Sequence, residues 1–153
     1  MKVTAWRIAK RRHARTAFTG EGARLFGGRW NNPGTSIVYT AESQSLAVLE
    51  MLVHLDSLEL LRKYVLFELG IDDSVIEHLD HSRLPKNWRV DPSPASVRAI
   101  GDNWIGADTS AVLRVPSALV PSENNFLLNP RHKDFPKLSI GKPMPFRFDR
   151  RLA

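Results

Sequence analysis

Apolar positions along this chain fall into short runs of two different periods, and the changes of period mark out its elements. Thr4 to Ala9 (TAWRIA) combines aromatic and β-branched residues and predicts a first strand. A loop follows, and Asn32-Pro33-Gly34-Thr35 then places proline second and glycine third, as a type II turn requires. That turn delivers the chain into a strand over Ser36 to Thr40, with Tyr39 near its end. From Ser43 the period becomes helical. Ser43 suits an N-cap, Leu46, Leu49 and Val53 recur at three- and four-residue spacing, and Met51, Leu52 and Leu55 widen the apolar face. Leu46, Glu50 and His54 are spaced four apart, so Glu50 shares a helix side with a leucine and a histidine. Flanked by Leu49 and Met51, it reads as a partly buried carboxylate, which needs a partner or a task.

The second half continues the mixture. Lys63 to Leu69 (KYVLFEL) predicts a strand and Asp73 to Leu79 a short helix. Ser93-Pro94 opens a longer helix running towards Trp104, with proline allowed at its first turn. Ala111 to Val115 predicts a buried strand ending at Pro116-Ser117, and Phe126 to Asn129 and Pro145 to Asp149 predict two more. Strands and helices alternate irregularly across long loops. That favours a compact α/β or α+β domain, with a mixed, twisted sheet flanked by helices, over a doubly wound parallel sheet. No repeat or Gly/Ser linker divides the chain, and 153 residues suit one domain, 1–153, with a core of its own.

Composition narrows the classes. Apolar residues make up 42% and charged residues 25%, as in an ordinary soluble protein, and no apolar run is long enough to span a bilayer. The amino terminus, MKVTAWRIAKRRHAR, lacks an apolar signal core, and the chain has no cysteine, so the cytoplasm is the expected compartment. A net charge of +6 attracts anions without saying which: nucleic acid, acidic protein and dinucleotide all qualify. Basic residues cluster at Lys10, Arg11, Arg12, His13 and Arg15, and again at Arg147, Arg150 and Arg151; both clusters read as solvated surface charge.

Candidate chemistry concentrates between Gly20 and Leu55. Glycines beside Arg29 let the backbone approach a ligand closely, and the guanidinium is the side chain best matched to a phosphate. With Tyr39 on a strand and Glu50 on a helix, the stretch has the parts of an anionic-cofactor site. Familiar alternatives are missing: there is no HExxH, His78 and His81 form an isolated pair, and no metal is expected. Nor is there a GxGxxG after a strand, a GxxxxGKS/T loop, a GxSxG elbow or a thiol nucleophile.

The run GEGA, then GGRWN, the Pro-Gly turn, IVYTAES and SLAVLEMLVHL resembles the amino-terminal signature of the RES domain family, the toxins of RES-Xre toxin–antitoxin pairs. Val115-Pro116-Ser117-Ala118, Pro121, Asn125 and LLNPRH at Leu127 to His132 resemble its second block. The resemblance runs from about Trp6 to the end, and its strength lies in the two blocks together, since GGRWN alone is weak. The family's named Arg, Glu and Ser correspond to Arg29, Glu50 and Ser117, with Tyr39 grouped beside them.

This resemblance implies a fold similar to ADP-ribosyltransferase domains, NAD+ as substrate in a cleft, and cleavage of NAD+ by hydrolysis or phosphorolysis, with protein ADP-ribosylation in some members. It also implies an Xre-like helix-turn-helix antitoxin as partner, contact with nucleic acid only through that antitoxin, and room for a homo-oligomer within the complex. On this reading Glu50 stabilises the ribosyl cation or orients the attacking water or phosphate, Arg29 clamps a phosphate, and Tyr39 packs on the nicotinamide or its ribose. Ser117 bonds the ribose or positions Glu50, while Asn125 and Trp30 hold the ligand or the loop. Ser117 and Asn125 must then fold back against the Arg29–Glu50 stretch.

Each residue has a plainer reading: Arg29 as a loop brace, Tyr39 as packing, Glu50 as half of an ion pair, for example with Arg29, Ser117 as a loop tie, and Trp30 and Trp104 as anchors. A rival from another class is a basic nucleic-acid-binding module without enzymatic activity. It predicts binding that falls steeply with salt and is unharmed or helped by Glu50→Ala. The enzyme reading predicts that Glu50→Ala abolishes toxicity and NAD+ loss.

Overall fold

A computed structural model describes all residues, Met1–Ala153. One sheet organises the chain. Its strands are β1 (Lys2–Lys10), β2 (Val38–Ala41), β3 (Tyr64–Asp72), β4 (Ile76–His78), β5 (Val112–Pro116), β6 (Asn124–Leu128), β7 (Ser139–Ile140) and β8 (Met144–Phe146). They lie in the order β4-β5-β6-β2-β1-β3-β7, and β8 also pairs with β3. All neighbours are antiparallel except β4 and β5, so the sheet is mixed, as expected.

Alternation along the strands builds different cores on the two faces. Val65, Phe67, Leu69 and Ile71 of β3 join Ala5, Ala9, Val38, Val112, Phe126 and Leu128 in one core on the first face. The opposite face carries two cores. One gathers Leu113, Val115 and Leu127 under Val97, Ile100 and Trp104 of α4 (Ala95–Ala107). The other gathers Ile8, Ala41, Tyr64 and Leu66 under Leu46 and Ala47 of α2 (Gln44–Leu52) and Leu60 of α3 (Ser57–Leu60). Between these two helix-covered patches runs a seam.

Local signals account for several elements. Ser43 caps α2, its hydroxyl accepting from Leu46 N at 3.1 Å. Gly34 has φ 105° and Thr35 N donates to the Asn32 carbonyl, which makes the expected type II turn. α4 opens after Pro94 as expected, and Asp108 ends it in the left-handed region at φ 54°.

Other expectations are corrected. No helix forms over Asp73–Leu79: Asp72 accepts from Ser74 N, a single 3₁₀ turn spans Asp73–Val75, and β4 follows, paired in parallel with β5. Adjacent Val75 and Ile76 favour the extended chain, and one turn with a single buried residue, Val75, is not enough to hold a helix. Leu49 and Val53, assigned to the apolar face of α2, are exposed, at 43% and 57%: Leu49 faces outward within the helix, and Val53 lies past its end at Leu52. The inward stripe is Leu46, Ala47 and Met51, with half-buried Glu50 between. The last large strand is Met144–Phe146 rather than Pro145–Asp149, although Phe148 still packs on Tyr64. Glycine made the stretch before Arg29 look like a loop, yet it holds a short helix, α1 (Glu21–Phe26), entered through Gly20 at φ 75°.

Candidate active site

Register across the seam fixes what can meet there. β2 pairs with β6 so that Tyr39 faces Leu127 and Ala41 faces Asn125, while Val115 of β5 also faces Asn125. Tyr39, Ala41 and Asn125 therefore point from one face, the face that α2 covers. β5 and β6 form a hairpin, closed beyond Pro116 by Ser117 N donating to the Glu123 carbonyl at 2.9 Å. The small side chains of Ala41 on β2 and Ala47 on α2 let the helix lie close to the sheet and bring Glu50 down onto that hairpin.

Glu50 is held by one oxygen. Ser117 Oγ donates to Oε1 at 2.8 Å and Asn125 Nδ2 donates to the same atom at 3.0 Å. Oε2 has no protein partner and is reachable by solvent. The Ser117 hydroxyl is itself fixed, accepting from Leu119 N and Val120 N, both at 3.1 Å, in a residue with no exposed surface. Asn125 leaves its Oδ1 buried without a donor. Turning the amide over would set that oxygen against Oε1, so the orphan follows from the geometry. Each such atom costs free energy unless a ligand or water satisfies it.

Arg29 does not pair with Glu50. Its Nη1 donates to the carbonyls of Trp88 at 3.0 Å and Val90 at 3.1 Å, which braces the segment before α4. Its Nε–Nη2 edge has no protein partner, and that edge is the fork that grips a phosphate or carboxylate. Tyr39 sits between. Its hydroxyl donates to Asn31 Oδ1 at 2.5 Å and accepts from Trp30 N at 3.1 Å. Burial pushes the phenol pKa above its usual value; the Trp30 N–H opposes this, the Asp102 carboxylate adds to it, and the Arg29 charge opposes it. Trp30 is a core side chain, 1% exposed and tilted against Trp88 at 6.3 Å, so its indole anchors the loop.

Three supporting residues carry no signal that names them in the sequence. Asn31, fully buried, donates from Nδ2 to the carbonyls of Ala23, Asn32 and Thr35, fastening the loop that presents Arg29. Gly28 admits Tyr39: a Cβ there would lie 2.6 Å from the phenol oxygen. Arg7 donates to the Tyr39 carbonyl at 2.9 Å and to the Ala17 carbonyl at 2.7 Å, and burial lowers its pKa to about 10. Asn31 and Gly28 lie inside GGRWN, so that motif marked the place without revealing the roles.

Fold and site together define a small mixed α/β domain with a carboxylate pinned in a seam and a guanidinium with one open edge on the loop that Tyr39 bonds. The RES domain model matches residues 4–149, and the chain belongs to the RES domain family. Among its relatives, "Toxin Res" of Yersinia enterocolitica is 48% identical over 148 residues, covering 96% of this chain and 97% of that one. "Toxin Res" of Photorhabdus laumondii is 42% identical, with 97% and 96% covered. A relative from Sphingobium sp. called "Prs ADP-ribosylating toxin" is 36% identical, with 99% and 98% covered. The crystal structure of the M. tuberculosis MbcT-MbcA toxin-antitoxin complex superposes with TM-score 0.77 at 20% identity, covering 96% of this chain and 85% of that one; it attests the fold. No helix is long and apolar enough to cross a membrane.

Proposed function

We propose that this RES-family chain is the toxin of a toxin–antitoxin pair that cleaves the nicotinamide N-glycosidic bond of NAD+ and so arrests growth. The observation that carries this reading is the pinned Glu50, with one oxygen held by Ser117 and Asn125 and the other free in the seam. The orphaned Asn125 Oδ1 fits the substrate, because a ribose offers the hydroxyl donor that this buried acceptor lacks. Arg29 would hold a phosphate oxygen through its unpartnered edge, and Tyr39 would pack beside the ribose.

The chemistry demands little proton transfer. Nicotinamide is bound to ribose as a cation, so when the bond breaks its electron pair returns to the ring nitrogen and a neutral molecule leaves. Positive charge develops at the anomeric carbon, where a fixed carboxylate stabilises it, as carboxylates do in glycoside hydrolysis. A water oxygen or a phosphate oxygen then bonds to that carbon; water gives ADP-ribose and a proton, phosphate gives ADP-ribose phosphate. Glu50 Oε2 would orient the attacking group.

The test is purified protein with NAD+, with and without phosphate, analysed for nicotinamide, ADP-ribose and ADP-ribose phosphate. Glu50→Gln is the informative variant, because its amide oxygen still accepts from Ser117 and Asn125 while the negative charge is gone. Folded Glu50→Gln protein should release at least about 100-fold less nicotinamide. Release undiminished in that variant, or absent in the natural sequence, sinks the reading.

A second reading, transfer of ADP-ribose to one protein, is favoured by the name of the Sphingobium relative. NAD+ labelled in its adenylate separates the two, since transfer leaves label on protein. The expected partner is an Xre-like helix-turn-helix antitoxin that covers the seam, tested by co-purification from a strain expressing both chains.

A further inference from the structure

A cluster of cations lines a cleft that does not include Glu50. β1 ends where β3 begins, since Lys10 pairs with Tyr64 and Arg11 N donates to the Lys63 carbonyl at 3.0 Å. That register sets the basic run Lys10-Arg11-Arg12 beside Arg62-Lys63. These five side chains line a cleft of about 480 Å³ that contains no apolar side chain. One carboxylate reaches it: Glu59 pairs with Lys10 at 2.8 Å, and that bond holds the Glu59 carboxyl below its usual range. Arg11, Arg12, Arg62 and Lys63 have no carboxylate within ion-pairing distance. Arg147 follows Phe146, the β8 partner of Tyr64, and adds charge at the same edge.

Four unpaired cations around one concavity repel each other until an anion enters, and that anion is then met from two strands at once. Guanidinium groups grip phosphate oxygens as forks, and lysine supplies a point charge. A single phosphate leaves part of this charge unmatched, whereas adjoining phosphates match it. No aromatic side chain lines the cleft to stack a base, and the cations are gathered into a space of small-ligand size instead of spread along a track. We propose that this cleft binds a compact, multiply phosphorylated small molecule through its phosphate groups. None of its five residues shares a hydrogen bond or ion pair with Arg29, Tyr39, Glu50, Ser117 or Asn125, so the site stands apart from the reading of the seam.

The test is calorimetric titration with inorganic tripolyphosphate at near-physiological salt, using the natural sequence, Arg12→Ala/Arg62→Ala, and Arg83→Ala/Arg131→Ala. The two double variants lose the same charge; Arg83 and Arg131 lie outside the cleft, and all four side chains are exposed, so folding, checked by circular dichroism, is preserved. Saturable binding is expected, weakened at least about tenfold by the cleft pair and less than about twofold by the control pair. Nicotinamide release from NAD+ should be the same for the natural sequence and the cleft pair. No saturable binding, or equal weakening in both pairs, overturns the proposal. So does short duplex DNA that displaces tripolyphosphate at equal phosphate concentration, which would reassign the cleft to nucleic acid.

Discussion

Ser117→Ala tests whether the seam is held by the hydroxyl that the geometry singles out. The substitution removes one donor to Glu50 Oε1 at 2.8 Å and one acceptor of the Leu119 and Val120 N–H groups. A hydrogen bond to a charged group contributes about 1.5–3 kcal/mol. The two amides lose less than fully buried donors would, because Leu119 is 40% exposed and water can reach the turn; together they add about 1 kcal/mol. The missing oxygen leaves a space too small for a well-bonded water. A destabilisation of about 3 kcal/mol follows, which for a chain of this length lowers Tm by about 6–12 °C. Glu50 keeps only Asn125, so NAD+ cleavage should fall further than unfolding at the assay temperature explains. Scanning calorimetry gives the first quantity, and nicotinamide release from folded protein the second. A Tm within about 2 °C of the natural sequence would refute the claim that this hydroxyl ties β5, β6 and α2 together.

Three further outcomes rest on separate contacts. Gly101→Ala builds a Cβ 1.9 Å from the Trp30 carbonyl oxygen, a backbone atom, so α4 must move off the Arg29 loop; more than about 3 kcal/mol lost in a urea melt is expected, and unchanged stability would show the approach is looser. Tyr39 stays protonated to higher pH in the folded chain than in the unfolded one, so above about pH 10 the unfolded state binds fewer protons and stability falls as pH rises, by at most about 1.4 kcal/mol per unit. Tyr39→Phe should remove that part of the alkaline slope, and identical slopes in paired urea melts would show otherwise. Ala41→Leu thickens the layer under α2 beside Asn125, costing about 1–3 kcal/mol and lifting Glu50 from its donors, so nicotinamide release should drop more in Ala41→Leu than in a surface variant of equal stability.

Much of the candidate site is legible in the sequence, because its residues sit inside compact motifs. The sequence motifs hold Arg29, Tyr39, Glu50, Ser117 and Asn125, and the expected closure is present: hydrogen bonds join Glu50 to Ser117 and to Asn125. What the sequence could not give was partnership. An ion pair between Glu50 and Arg29 was a natural expectation for opposite charges, but Arg29 spends its Nη1 on two carbonyls instead. Those acceptors are backbone atoms of Trp88 and Val90, and backbone acceptors leave no trace in residue identity. For Trp30 the sequence allows both a ligand-holding and an anchoring role, and its packing against Trp88 at 1% exposure decides for the anchor. The missed β4 and the basic cleft have one cause, since both depend on pairing between segments far apart in sequence, which local periodicity does not record.

The unsatisfied groups in the seam argue for a ligand more strongly than the satisfied ones do. A carboxylate kept only to tie α2 to the β5–β6 hairpin could be a glutamine, which would offer the same acceptor without desolvating a charge. Glu50 instead leaves Oε2 unbonded, Asn125 leaves Oδ1 buried and unbonded, and Arg29 leaves its Nε–Nη2 edge open. Two free acceptors and one cationic fork complement a molecule that presents hydroxyl donors and a phosphate, the pattern of a ribosyl phosphate. They do not complement a nucleobase, which would need paired donors and acceptors in one plane. Fold stability alone gives no reason to leave these three edges unmatched, whereas the substrate proposed above would complete them.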